Sequence, residues 1–220
     1  MLLLAVDTSG KFGSIALAQC NGEECRVLEV VPLAGGTFSA QLVPQVAELL
    51  SKHGFTKHDL GAFAAASGPG SFTGLRVGLA AIKGLAEVLL KPIASVSLLE
   101  AVASLAPARG RVTAVLDAGR NEVYVGEYGG ESETGVERLL TRNEFLSEAS
   151  GKIVVTPDKG IADSARVGGI AVHEVERPRS DVIARLGWKK IQSGQTISTE
   201  DLEANYIRRS DAEIFSKPYR

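Results

Sequence analysis

The chain has 220 residues, 45% of them hydrophobic and 23% charged, with a formal net charge of −2. That length holds one large domain or two small ones, and the composition is that of a folded globular protein rather than a disordered or fibrous one. The charge balance excludes a global basic field for nucleic acid, and no apolar run approaches the roughly 18–20 residues of a membrane span.

The start, 1-MLLLAVDTSG-10, reads as a strand over 2–8 rather than a signal sequence, which points to the cytoplasm. Runs 12–20 and 24–32 follow, joined by Asn21-Gly22 turn chemistry, so the first three strands form a meander. Cys20 and Cys25 flank that turn and would face each other across it; a disulfide is conceivable, but two reduced, buried thiols fit a chain without a secretion signal. Residues 39–54 carry Leu42, Val46 and Leu49/Leu50 at helical spacing, with Ser39 as N-cap, Gly54 as a stop and Pro44 predicting a kink or late start. A buried strand over 60–67, a helix over 72–90, a strand over 93–97 and a helix over 97–106 complete the first half.

The second half repeats the order. Strands at 111–117, 122–129 and 135–140 precede a helix near 142–149, a strand at 152–156, a helix from Asp158 and a strand at 170–175. A last helix over about 180–193 has Ser180 as its N-cap. Both halves therefore read βββαβα, which predicts an α/β fold of two ribonuclease-H-like subdomains in tandem. The expected domains are 1–108 and a smaller 109–220. Basic residues of the last quarter (Arg177, Arg179, Arg185, Lys189, Arg208 among them) alternate with acids and read as a solvated mixed face.

The block 67-SGPGSFTGLRVGLAAIKGLA-86 raises a phosphate loop as a question. It fails the Walker pattern, because Leu75-Arg76 stands where Lys-Ser/Thr is needed, and the dinucleotide pattern, because Thr73 takes the third glycine's place. Interior glycines weaken a helix by roughly 1 kcal/mol each. Gly74 and Gly78 share a face with Ala81 and Leu85, a smooth strip that suits either helix-on-sheet packing inside the chain or a docking face for a helix of a second protein. His53, His58 and His173 are scattered without metal-ligand spacing, and no G-x-S-x-G elbow occurs. Asp7 and Asp117, each after an apolar strand, are the one pair that a stand-alone enzyme (a small-molecule kinase or a glycoprotease-like peptidase) would use; turn-capping aspartates are the plainer reading. A purely structural homodimer is a third.

Taken together, 4-LAVDTS-9, 42-LVPQVAELL-50, 68-GPGSFTGLRVG-78, 117-DAGRNEVY-124 and 206-YIR-208 resemble the TsaB (YeaZ) family of tRNA threonylcarbamoyladenosine biosynthesis proteins over nearly the whole chain. The resemblance implies a sugar-kinase/actin-type fold with a reduced second subdomain. It implies a non-catalytic subunit, without metal or cofactor of its own. That subunit scaffolds and activates the catalytic paralogue TsaD, together with the ATPase TsaE, in threonylcarbamoyl modification of the tRNA adenosine 3′ of the anticodon. The tRNA is then met only through the complex. Docking helices at about 39–52 and 72–90 are implied, with Ser39, Leu42, Val43, Val46, Gly74, Arg76, Val77, Gly78, Ala81 and Ile82 as partner-binding residues. The same surface would pair two copies when the partner is absent. Asp7, Thr8, Ser9 and Asp117 would be what is left of a nucleotide cleft. Arg76, a cation in the first turn of its helix, is expected to meet an anionic group of the partner. The chain departs from the family pattern at Phe38, where relatives often carry His, at Gly119, where D-A-R is usual, and at Ala204, where proline is usual.

Overall fold

The computed structural model describes residues 1–107, 110–129 and 136–208. Residue 135 and the basic residues Arg209, Lys217 and Arg220 lie outside them. The described residues form two compact units, one of residues 1–101 and 178–204, the other of those within 102–177 together with 205–208.

In the first unit, β1 (Leu2–Asp7), β2 (Gly13–Asn21) and β3 (Glu24–Leu33) make the expected antiparallel meander, with Gly22 at φ +53 in the turn. Next come α1 (Phe38–Lys52), β4 (Leu60–Gly68), α2 (Phe72–Leu89), β5 (Ile93–Ser97) and α3 (Leu98–Ser104), of which residues 98–101 belong to this unit. Strands β4 and β5 add parallel to β1, giving the order β3-β2-β1-β4-β5. Side chains alternate across β1: Leu2, Leu4 and Val6 pack with Phe63, Leu42, Val46, Leu49 and Ile82 under α1 and α2.

The opposite face is covered from far along the sequence. Helix α6 (Ser180–Gln192) packs against all five strands of this sheet. Its Gly187 lies so close that a Cβ there would be 2.4 Å from that of Ala64, and Trp188 Nε1–H donates to the Gly22 carbonyl at 2.9 Å. The division at 108/109 is thereby corrected: the last helix completes the first unit, because the sheet needs both faces covered.

Two helix starts also differ from expectation. Helix α1 begins at Phe38 after Thr37, leaving Ser39 inside its first turn and exposed. It runs on through Pro44, whose missing N–H deprives only the solvent-facing Ala40 carbonyl of a bond. At α6 the N-cap is Arg179, and the buried Ser180 N–H donates to Ser14 Oγ at 3.0 Å.

The second unit repeats the topology in reduced form. Strands β6 (Val112–Gly119), β7 (Glu122–Tyr128), β8 (Arg138–Thr141), β9 (Ile153–Thr156) and β10 (Ala171–Glu174) take the order β10-β9-β6-β7-β8. Helices α4 (Arg142–Glu148) and α5 (Lys159–Val167) have 7 and 9 residues, against 15 and 18 in α1 and α2. Val115, Val123, Phe145, Val154 and Ile161 centre its own core. Among the described residues, no helix is long and apolar enough to cross a membrane.

Candidate functional site

The glycine block leaves β4 through a cis Gly68–Pro69 peptide, and Ser71 caps α2 by accepting the Gly74 N–H at 3.3 Å. What α2 rests on is the turn after β1. A Cβ on Gly74 would lie 2.1 Å from the Thr8 carbonyl oxygen, and one on Gly78 would lie 2.3 Å from Thr8 Oγ1. Thr8 Oγ1 donates to the Gly74 carbonyl at 2.7 Å, and Ser71 N–H donates to the Ser9 carbonyl at 2.6 Å. Asp7 Oδ1 accepts both the Ser9 N–H, at 2.9 Å, and the Ser9 hydroxyl, at 2.5 Å. Asp7, Thr8 and Ser9 are all buried. The glycines thus admit this chain's own Thr8 rather than forming an outward strip. The physical reason is that the helix can approach the turn this closely only where it lacks side chains.

Helices α1 and α2 lie side by side on the sheet, and their inward residues are Leu42, Val46, Gly74, Gly78 and Ile82. Those five belong to the packing of the first unit. Outward stand Ser39, Val43 (59% exposed) and Arg76, with Val77 and Ala81 half-buried. The Arg76 guanidinium sits 3.6 Å from the Phe72 ring centroid, a cation–π neighbour within its own helix. The outward stripe of α2 continues through Ala80, Gly84 and Val88 at four-residue spacing. Gly84 faces open space and Val88 is 75% exposed.

Where both helices begin, a groove of about 570 Å³ is lined by Lys11, Phe12, Phe38, Ser39, Thr73 and Val77. Phe12 is 71% exposed at that groove, with Lys11 Nζ 5.6 Å from its ring centroid. Phe12 and the stripe Ala80–Gly84–Val88 were not among the sequence candidates. The signal for Phe12 was there in 10-GKFG-13, an aromatic residue in a glycine-flanked turn with no alternating partner to bury it.

In the second unit Asp117 is a turn carboxylate. Its Oδ1 accepts the Gly119 N–H at 2.9 Å, its Oδ2 pairs with Arg142 at 3.3 Å, and its own N–H donates to Asp158 Oδ2 at 2.8 Å. Arg120 and Asn121, at φ 53 and 62, make the two-residue turn into β7. The motif arginine Arg208 returns to this turn: its Nη1 donates to the Ala118 carbonyl at 2.9 Å and its guanidinium pairs with Glu122. The segments 117-DAG-119 and 206-YIR-208, read separately in the sequence, are one structural element. Among the described residues, no group of three or more His, Cys, Asp or Glu is placed to hold a metal ion.

Comparison with known proteins gives a consistent picture. A family model described as TsaD, tRNA N6-adenosine threonylcarbamoyltransferase, matches residues 30–210. The tRNA threonylcarbamoyladenosine biosynthesis protein TsaB of Haemophilus influenzae is 37% identical, over 94% of each chain. The TsaB of Escherichia coli is 29% identical over 96% of each. The solved structure of YeaZ from Pseudomonas aeruginosa superposes with a TM-score of 0.73 at 25% identity, covering 93% of this chain and 99% of that one.

Proposed function

The chain belongs to the TsaB (YeaZ) family, and from that premise we propose that it serves tRNA threonylcarbamoyladenosine biosynthesis as a non-catalytic subunit. It docks a TsaD-type paralogue through the outward side of α1 and α2 and, with a TsaE-type ATPase, activates it; tRNA is met through the assembly, and two copies of the chain pair by the same face when the paralogue is absent. The observation that carries this reading is the exposed, side-chain-poor stripe Ala80, Gly84 and Val88 of α2, flanked by the half-buried Val77 and Ala81. A helix can lie close against such a stripe with little side-chain ordering. A non-catalytic role is supported by the state of the carboxylates: Asp7 is buried against Ser9, and Asp117 is engaged by its own turn and Arg142.

Gly84→Leu tests the docking face, since open space surrounds Gly84 and the fold tolerates the side chain. Titration with the TsaD-type partner is expected to show binding weakened at least about tenfold, roughly 1.4 kcal/mol, with an unfolding temperature no lower than wild type. Wild-type affinity in that variant overturns the interface. Threonylcarbamoyl transfer to tRNA by the isolated chain overturns the non-catalytic role.

A further inference from the structure

The two cysteines face each other across the β2–β3 hairpin, in register as Cys20↔Cys25, with their sulfurs 3.0 Å apart. Cys20 directs its backbone toward β1: its N–H donates to the Met1 carbonyl at 2.8 Å, and its carbonyl accepts from the Met1 ammonium at 2.7 Å. A strand residue points its N–H and C=O to the same side, so the pair with Cys25 is a non-hydrogen-bonded one. In such pairs the Cα atoms are about 4.5 Å apart and the side chains are closer than in hydrogen-bonded pairs, within the range that a disulfide bridges. The hairpin tip is also held from outside, by Trp188 and Gln192 of α6 on the Gly22 carbonyl. Both cysteines are free thiols here, Cys20 buried and Cys25 half-buried.

We propose that Cys20 and Cys25 are a redox site, closing reversibly into a cross-strand disulfide by exchange with a low-molecular-weight disulfide such as oxidised glutathione. Cys25 is the attacking thiol. It is the more exposed, it accepts the Cys20 S–H hydrogen bond, and that bond and Arg185 on α6 hold its pKa below the ordinary thiol value although burial opposes them. Its thiolate attacks one sulfur of the small disulfide, that S–S bond breaks, and one thiolate leaves. Cys20 then loses its proton and attacks Cys25 Sγ, the mixed disulfide breaks, and the second thiolate leaves. The two cysteine protons end on the two released thiols; the protein pair is oxidised by two electrons and the small disulfide is reduced by two. In the reduced pair the Cys20 pKa is raised, first by its hydrogen bond to Cys25 and next by burial. The first exchange removes that hydrogen-bond acceptor, so resolution by Cys20 becomes easier once Cys25 has reacted.

The test is intact mass and thiol titration of the full chain incubated with oxidised glutathione. Wild type is expected to lose two hydrogens in mass, to show no lasting glutathione adduct and to regain both thiols with dithiothreitol. Cys20→Ser is expected to stop at a stable glutathione adduct on Cys25. Cys25→Ser is expected to leave Cys20 unmodified, its rate at least about tenfold below that of Cys25. A wild-type chain that stays fully reduced or accumulates the adduct overturns the proposal, as does a Cys20 that reacts in Cys25→Ser as fast as Cys25 does in Cys20→Ser. The wild-type arm is decisive by itself if either variant fails to fold.

Discussion

Gly78 and Gly84 are both interior glycines of α2, yet their environments give substitution opposite signs. A methyl group at Gly78 meets Thr8 Oγ1 at 2.3 Å, whereas at Gly84 it meets nothing within 4 Å. Gly78→Ala is therefore expected to destabilise by about 2 kcal/mol or more through overpacking. Gly84→Ala is expected to stabilise by about 1 kcal/mol through helix propensity. Urea-unfolding midpoints of the two variants check this contrast. Four-residue spacing was enough to put Gly74 and Gly78 on one helix face, but not to say whether that face points in or out. The arbiter is Thr8, 66 residues from Gly74 in the chain, and no local pattern contains it. Asp117 makes a similar point. An asparagine there keeps the acceptor for the Gly119 N–H and loses only a partly exposed ion pair, worth about 0–1 kcal/mol. Asp117→Asn is expected to leave threonylcarbamoyl transfer by the reconstituted complex within about twofold of wild type. A general acid or base would lose about a hundredfold or more.

At the scale of elements, the meander and the order of helices and strands were legible because apolar runs and turn residues are adjacent signals. The Asn21-Gly22 turn and the Pro92 stop after α2 are examples. Helix ends were less so. Ser39 and Ser180 are good capping residue types, but α1 starts two residues earlier, with Thr37 as its cap, and buries Phe38, and α6 takes Ser14 of β2 as its hydrogen-bond partner. The end of α2 is costly in a way the sequence hides. Leu90 takes the left-handed conformation, φ 53, while 86% exposed. Leu90→Gly removes a penalty of about 1 kcal/mol and little buried area. The unfolding temperature is expected to rise by about 2–4 °C in calorimetry.

For the whole molecule, acid stability follows from carboxylates held below their ordinary range. Lys52 and then His53 do this for Glu29, and Lys152 for Glu127, each below the ordinary 4.5. The Thr141 hydroxyl and backbone N–H do it for Glu144, and the Thr56 backbone N–H and hydroxyl for Asp59, whose ordinary value is 3.8. A depressed folded pKa gives stability that is present above the ordinary value and lost as pH falls through the lowered one. The unfolding temperature is accordingly expected to drop on acidification below about 4.5. Added salt should shrink the part due to Glu29 and Glu127, whose partners are cations, and spare the part due to the threonine-capped pair. The duplicated topology was legible because each half carries its own meander. The placement of α6 was not, since the groups it meets, Ser14, Gly22 and Ala64, all lie far back in the chain where no local pattern links them to it. That placement has a consequence for biosynthesis. While a ribosome is still making residues 102–177, the first sheet stands with one side bare. Its closing piece arrives only after the whole second sheet has been translated. Nascent chains arrested before residue 178 should accordingly offer proteases the segment 1–101, and chains released past residue 204 should withhold it.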